Sequence, residues 1–260
     1  MTNAIMKLNL YYTSLLLLIT FAACKKSTTT EPTPDPKPTT KTIKLLTRMA
    51  KVVEGGKDTV YTDITYDDRN RIRTIKTGIT IKQYNYLGDE LISLTRIDDQ
   101  GKVMSTYASF IYADGVLTSG LASTTAVTYE MSGGKVLKRN NATQTMFEFT
   151  YSGNNMVSYK QANGQVTGYE FGTAKNPFFH TRHRYYQLTA SESEDIYSEN
   201  APTKFIIAIT PVFRGSIYTY VVDKDGLPLS AQVKATQFAD PSLFSTTVVV
   251  YTYTSKQVPL

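Results

Sequence analysis

The chain has 260 residues, among them 28 lysines and arginines, 22 aspartates and glutamates, 19 tyrosines, 11 phenylalanines, one cysteine and no tryptophan. A single cysteine excludes an intramolecular disulfide and a metal site built from several cysteine ligands. Six of the basic residues and two of the acidic ones precede Leu45, so the rest of the chain is nearly neutral and lacks the charge expected of a nucleic-acid-binding domain.

The first 23 residues have the order of a secretory signal peptide. Lys7 supplies a positive charge, residues 8–21 are mostly apolar, and two small residues precede Cys24. The apolar stretch is shorter than the roughly 20 residues of a transmembrane helix. The segment Phe21-Ala22-Ala23-Cys24 resembles the lipobox of bacterial lipoproteins, in which the cysteine is acylated and becomes the new N-terminus. This resemblance implies that Cys24 is lipidated and anchors the protein to a membrane of the cell envelope.

The residues after Cys24 indicate which membrane carries the anchor and that a spacer separates the domain from it. Lys25 and Lys26 stand where enteric-type lipoproteins retained in the inner membrane carry aspartate, so we expect the outer membrane, with its periplasmic face favoured over the cell surface. Residues 27–42 contain four prolines among small polar and charged residues. Such a segment cannot bury enough apolar surface to fold and is expected to be an extended spacer. The sequence thus predicts a tether over residues 24–42 and a single β-rich domain over residues 43–260.

The domain is predicted to be a series of β-hairpins. Residues 147–151 alternate apolar and polar side chains, as a half-buried strand does. An aromatic residue, a polar or glycine-containing turn and an aliphatic residue recur about 20 residues apart, as in Tyr66 to Ile72 and Tyr86 to Leu91. Glycine, asparagine and aspartate suit these turns because they tolerate positive φ. The expected fold is all-β, a long antiparallel meander that is curved or barrel-like.

Two resemblances support this fold. Tyr66-Asp67-Asp68-Arg69-Asn70-Arg71-Ile72 resembles a degenerate YD (Rhs-type) repeat, with Asn70 in the place of the usual glycine. The mature chain resembles a Bacteroidetes-type lipoprotein family of unknown function with a porin-like fold. The residues that carry this second resemblance are Asn176-Pro177-Phe178, Ser198-Glu199-Asn200-Ala201-Pro202, Tyr218-Thr219-Tyr220, Asp225-Gly226 and Tyr251-Thr252-Tyr253-Thr254. The family implies a curved or barrel-like sheet and brings no activity and no catalytic residues.

Residues 178–211 interrupt the hairpin rhythm. They contain both histidines, His180 and His183, and the acidic run of residues 192–195. We expect a long loop here with one short helical piece near residues 185–197. Two arginines beside the histidines disfavour a metal site. The carboxylates of residues 178–202 leave one catalytic alternative, an envelope glycan hydrolase.

The sequence otherwise indicates no catalytic residues, no metal ligands and no cofactor. Asp223, Asp225 and Gly226 resemble the start of a calcium loop, but Lys234 stands where that loop requires glutamate, and a hairpin turn explains the pattern. We therefore expect a non-enzymatic envelope lipoprotein that serves as a binding or structural module.

The candidate binding surface consists of four strand tyrosines, Tyr218, Tyr220, Tyr251 and Tyr253. Alternation places each pair on one face of its strand. Tyrosine combines a large apolar ring with a polar tip, so such a surface suits a glycan or a protein ligand. The alternative is that these rings pack across strands and only stabilise the sheet. No oligomeric state is indicated.

Overall fold

The computed structural model describes residues 39–53, 55–56, 58–179, 198–209, 212–236 and 244–259. These residues form sixteen β-strands and no helix. In chain order the strands are β1 Thr40–Val53, β2 Thr59–Tyr66, β3 Ile72–Thr77, β4 Thr80–Leu87, β5 Glu90–Ile97, β6 Val103–Ala113, β7 Val116–Ala122, β8 Thr125–Ser132, β9 Lys135–Asn140, β10 Thr145–Ser152, β11 Asn155–Gln161, β12 Val166–Lys175, β13 Asn200–Ile209, β14 Val212–Val222, β15 Pro228–Thr236 and β16 Phe244–Pro259.

The strands form one closed antiparallel barrel. Each strand pairs with its neighbours in sequence, and β1 lies beside β16 to complete the circuit. The prediction of an all-β, barrel-like meander is confirmed, and closure removes the unpaired strand edges that an open sheet would expose. Residues Thr42–Gln257 form one compact unit. β1 begins at Thr40, inside the segment predicted to be tether, and the helical piece expected near residues 185–197 lies outside the described residues.

A β-bulge recurs at the same point of successive hairpins. In the first, Thr65 pairs with Thr74 and Tyr66 pairs with Ile72, which leaves Arg73 as the extra residue. Bulges bend a strand and increase its twist, as a closing barrel requires. Among the described strands the same shift occurs at seven hairpins, at Thr65/Tyr66, Asn85/Tyr86, Ile111/Tyr112, Glu130/Met131, Thr150/Tyr151, Glu170/Phe171 and Val221/Val222.

The aliphatic residue that pairs across the bulge in the first five of these hairpins lies deep in the core. Ile72, Leu91, Leu117 and Val136 are completely buried, and Met156 is 1 % exposed. This explains the sequence rhythm of an aromatic residue, a turn and an aliphatic residue, because each repeat contributes one strand end and the next strand start to the same layer of the core.

Six tyrosines of this layer form what we call the tyrosine collar. Each phenol donates a hydrogen bond to a backbone carbonyl oxygen of the preceding strand, over 2.7 to 3.0 Å. The pairs among the described residues are Tyr66 with Leu46, Tyr86 with Ile72, Tyr112 with Leu91, Tyr151 with Val136, Tyr220 with Pro202 and Tyr253 with Pro228. The collar links consecutive hairpins at one end of the barrel.

Aspartates organise two turns at the collar end and one at the opposite end. Asp67 accepts hydrogen bonds from the backbone N–H groups of Arg69 and Arg71 at 3.0 and 2.9 Å. Asp98 and Asp223 do the same for the residues two and four positions later. The residue three positions after each aspartate has positive φ, and in the first turn Asn70 adopts it at 63°. Asparagine tolerates this conformation, so the departure from glycine leaves the turn intact.

Candidate functional site

The two faces of the barrel wall differ in chemistry. On β8, Val127 and Tyr129 are buried, whereas Thr128 and Glu130 between them are exposed. Because successive side chains of a strand point to opposite faces, the buried set defines the interior of the barrel and the exposed set its exterior. The interior is therefore largely apolar and aromatic.

The exterior is hydrophilic over most of the circuit. Outward-facing ion pairs join Arg48 to Asp63 at 2.6 Å on β1 and β2, and Lys204 to Glu170 at 2.8 Å on β13 and β12. A third pair joins Lys138 to Glu130 at 3.3 Å. The outer face of β14 and β16 is more apolar, with Ile217, Val221, Val248 and Val250 between 40 and 59 % exposed. Apolar side chains are also exposed on the outer face of β6 and β7, where Ile111 is 57 % and Leu121 42 % exposed.

The interior carries an aromatic wall, defined by Phe147, Phe149, Tyr159, Tyr169, Phe171, Phe205, Tyr218 and Tyr220. The rings of Phe147 and Phe149 stack 6.1 Å apart, and both contact Tyr159 at 5.8 and 6.3 Å. Tyr169 contacts Phe205 at 5.5 Å across β12 and β13. Most of these rings remain half-buried although they face inward. These rings therefore keep accessible surface on the inward face of a circuit of sixteen strands.

The four tyrosines of the predicted binding surface all lie on the inward face. Tyr218 and Tyr220 stack at 6.1 Å with their planes 6° apart. β15 separates them from Tyr251 and Tyr253, with Ala231 and Val233 opposite Tyr220 and Tyr218. The hydroxyls of Tyr220 and Tyr253 are held in the tyrosine collar, and burial raises the pKa of Tyr253. The structure thus gives the hydroxyls of Tyr220 and Tyr253 a hydrogen bond to the backbone and brings the two pairs onto one inner surface.

Charged side chains are sorted between the two faces. The acids of the described strand interiors, Asp63, Glu130, Glu148 and Glu170, alternate with core residues and point outward. Four basic residues share the inward face of their strands with core residues, namely Lys51, Lys82, Arg96 and Arg139. Sequence reasoning missed this set, because alternation shows which residues share a face but not the register that brings strands together.

Arg139 is the most deeply placed of these cations. It is 8 % exposed, pairs directly with Tyr129 across β9 and β8, and lies over the ring of Phe147 with 4.1 Å between its guanidinium carbon and the ring centroid. The hydroxyl of Tyr129 is buried and has no hydrogen-bond partner in the described part of the chain. Burial raises the pKa of Tyr129 to about 12, although the charge of Arg139 acts in the opposite direction. This phenol therefore stays protonated near neutral pH and can donate a hydrogen bond.

Lys82 and Arg96 lie at the end of the barrel opposite the collar. They are direct partners across β4 and β5, on the same face as the buried pair Tyr84 and Leu94. Lys82 also lies over the ring of Tyr107, at 5.6 Å. The register thus places two basic residues directly opposite each other at this end of the barrel.

The Asp223 turn holds a lysine. Lys44 Nζ lies 2.5 Å from Asp223 Oδ2 and 2.6 Å from Asp225 Oδ2. The two aspartates that resemble a calcium loop thus form a hairpin turn with an ion pair, in agreement with the turn interpretation. Among the described residues no group of three or more histidine, cysteine, aspartate or glutamate side chains could hold a metal ion.

Other residues named from sequence lie outside the described part of the chain. These are Cys24, His180, His183 and the acidic run of residues 192–195. Of the acids predicted for the hydrolase alternative, Glu199 is described; it is exposed and accepts a hydrogen bond from Asn154 at 3.1 Å. Over the described ranges the structure contains no helix long and apolar enough to cross a bilayer.

The chain is similar to solved structures but matches no known family by sequence. No protein-family model and no curated protein sequence matches the chain. It is similar to the crystal structure of a porin-like protein from Bacteroides uniformis, with 15 % identity and a TM-score of 0.46 over 80 % of this chain and 96 % of that one. A porin-like protein from Bacteroides vulgatus matches with 11 % identity and a TM-score of 0.43 over 82 % of this chain and 99 % of that one.

Proposed function

We propose that this protein is a lipid-anchored, non-catalytic binding module of the bacterial envelope that takes up a glycan inside its barrel. The observation that carries the proposal is the aromatic wall, whose inward-facing rings keep accessible surface. Aromatic rings offer flat apolar faces, and tyrosine adds a polar tip, so such a wall suits the mixed surface of a sugar ring.

The hydrophilic exterior favours a barrel that stands in water over one that spans a bilayer. A lipid-facing wall carries an apolar band, and a charged residue near its middle costs about 2 to 4 kcal/mol. Here Asp63, Glu130 and Glu170 point outward from strand interiors. A membrane anchor on Cys24, followed by a proline-rich spacer, is consistent with such a barrel held near the outer membrane.

Barrel closure favours a glycan over a protein strand. Recognition by strand addition requires an exposed sheet edge, and β1 beside β16 removes the edge that an open meander would have. The inner tyrosines around Tyr218 would then contribute ring faces to the ligand, while Tyr220 and Tyr253 position them through the collar. The hydrolase alternative rests on residues 178–202 and receives no support from the described carboxylate of Glu199, which is exposed.

Binding can be tested with the lipidated full chain in detergent micelles, screened against a panel of soluble neutral and acidic oligosaccharides. Phe147→Ser and Tyr218→Ser change inward rings, and Glu148→Ser and Thr219→Ser change the adjacent outward positions of the same strands. We expect the inward changes to abolish binding and the outward ones to leave it intact. Equal effects of both sets, or turnover of any oligosaccharide, would contradict the proposal.

Anchoring has a separate test. Acylation of Cys24 requires the thiol, so Cys24→Ala should lose fatty-acid label and appear in the soluble fraction or remain unprocessed. Protease treatment of intact cells then reports the membrane face, because a periplasmic domain is protected and a surface domain is digested. Fatty-acid label retained by Cys24→Ala would show that the lipobox interpretation is wrong.

A further inference from the structure

Over the described strands, the charges on the inner face of the barrel have one sign. In the described strand interiors every charged residue on the inward face is basic, at Lys51, Lys82, Arg96 and Arg139, and the acids face outward. The chain between residue 45 and its end is nearly neutral in total, so the positive interior arises from placement and not from composition. Low-dielectric walls lined by one sign of charge concentrate ions of the opposite sign.

Building on the proposed function, we infer that the ligand is an acidic oligosaccharide, whose carboxylate or sulfate groups are bound by Arg139 and by the pair Lys82 and Arg96. Arg139 provides a planar guanidinium, which fits the two oxygens of a carboxylate or sulfate. The aromatic wall supplies the sugar-binding surface on the same side, since Arg139 lies directly over Phe147.

Tyr129 is a second, independent indication of a ligand at Arg139. Tyr129 is 8 % exposed and lies opposite Arg139 across the strand pair. Its hydroxyl has no hydrogen-bond partner in the described part of the chain. A buried hydroxyl without a partner is costly. An anionic group bound by Arg139 would accept a hydrogen bond from this hydroxyl, which remains protonated because burial raises its pKa.

The pair Lys82 and Arg96 extends the basic surface toward the end of the barrel opposite the collar. Their register places two basic residues directly opposite each other, and Arg96 is exposed. Two separated cationic positions, one buried and one accessible, suit a chain of acidic sugar units better than a single small anion.

The test uses the lipidated full chain in detergent micelles and three probes: a short oligogalacturonide, the same oligosaccharide with its carboxyls methyl-esterified, and a sulfated oligosaccharide of similar length. Esterification removes the charge and keeps the sugar rings. We expect the acid to bind about tenfold or more tightly than the ester, with an affinity that falls as salt is added. Tighter binding of the sulfated probe than of the oligogalacturonide would identify sulfate as the preferred group.

Arg139→Gln should lower affinity for the acid to that of the ester, and Arg139→Lys should give an intermediate loss because lysine keeps the charge without the planar fork. Lys82→Gln combined with Arg96→Gln tests the accessible pair without altering the deep core. Lys138→Gln is the matched control, since Lys138 precedes Arg139 and faces outward.

Equal affinity for the acid and the ester would overturn this inference and leave glycan binding standing. The same loss in Lys138→Gln as in the inward variants would also overturn it. Failure of all acidic and neutral oligosaccharides to bind would overturn the proposed function together with this inference.

Discussion

The phenol of Tyr86 donates a hydrogen bond to the carbonyl oxygen of Ile72. Tyr86 lies three residues beyond Gln83, and the pairing of Gln83 with Thr74 is the last rung of the β3–β4 ladder. The two strands diverge at this point, and the tyrosine spans the gap that the ladder leaves. Tyr112 and Tyr253 stand in the same relation to the last rungs of their ladders, Ser93 with Ser109 and Ser230 with Val250. A buried carbonyl that leaves a ladder needs another donor, and the collar supplies it.

From the collar hydrogen bond we expect Tyr86→Phe to lower the stability of the folded state by a small amount. The change removes one hydroxyl, keeps the ring, and leaves the buried carbonyl of Ile72 without this donor. We expect the free energy of unfolding to fall by about 1 to 2 kcal/mol, measured by urea denaturation with an unchanged slope. A neutral result would mean that water replaces the phenol at no cost.

Phe171 offers the reverse experiment. It pairs with Pro202 at a bulge, as the collar tyrosines pair with their aliphatic partners, but has no hydroxyl. It lies three residues after Gly168, which forms a rung with Ser158 two residues beyond Met156. Phe171→Tyr is therefore expected to reach the carbonyl of Met156 and to stabilise the barrel by roughly 0.5 to 1 kcal/mol. Destabilisation would show that this position of the ring has no room for the hydroxyl.

Gly120 and Gly168 lie in barrel strands, and we expect replacement by alanine to have opposite effects on stability at the two positions. A Cβ on Gly120 would clash with the backbone oxygen of Ser109, whereas a Cβ on Gly168 would meet nothing within 4 Å. Backbone cannot move aside as a flexible side chain can, so Gly120→Ala should lower the melting temperature markedly. Gly168→Ala should leave it unchanged or raise it, because alanine reduces the entropy of the unfolded chain. Similar melting temperatures for the two variants would contradict the close approach at Gly120.

The repeat of aromatic residue, turn and aliphatic residue was sufficient to predict the hairpins, because each unit contains both the turn-forming residues and the alternating strand residues that a hairpin needs. Tyr66 to Ile72 illustrates this, with Asp67 and Asn70 in the roles that the sequence assigns them. Closure was not predictable, since it depends on β1 meeting β16 at the two ends of the domain.

The arrangement of the inner face was predictable only in part. Alternation placed Tyr218 and Tyr220 on one face, and their rings stack there. It could not reveal that the hydroxyl of Tyr220 donates a hydrogen bond to the carbonyl oxygen of Pro202, nor that Arg139 lies over the ring of Phe147. Both contacts depend on strand register, which a single sequence specifies weakly when many hairpins have similar patterns.

The contribution of the Asp223 turn to stability depends on pH. Burial would raise the pKa of Asp223, but hydrogen bonds from Lys44 and from the backbone N–H groups of Leu227 and Asp225 outweigh burial and hold it below its usual value. A carboxyl with a lower pKa in the folded state stabilises that state above the unfolded-state pKa of about 3.9, and this contribution disappears as pH falls through the folded-state pKa. The pKa of Lys44 is raised mainly by its hydrogen bonds to Asp223 and Asp225, so its contribution holds below about pH 10.4 and is lost as pH rises through the folded-state pKa.

Asp223→Asn should therefore lower the melting temperature at pH 7 and make it less dependent on pH below about pH 4. Asp98→Asn is the matched control, because Asp98 accepts the same two backbone hydrogen bonds and has no ion pair among the described residues. Melting temperatures from pH 2 to pH 11, followed by circular dichroism in a single buffer series, separate the two. If the Asp223→Asn curve ran parallel to that of the unmodified protein across the acid range, the ion pair with Lys44 would have no part in the acid stability of the barrel.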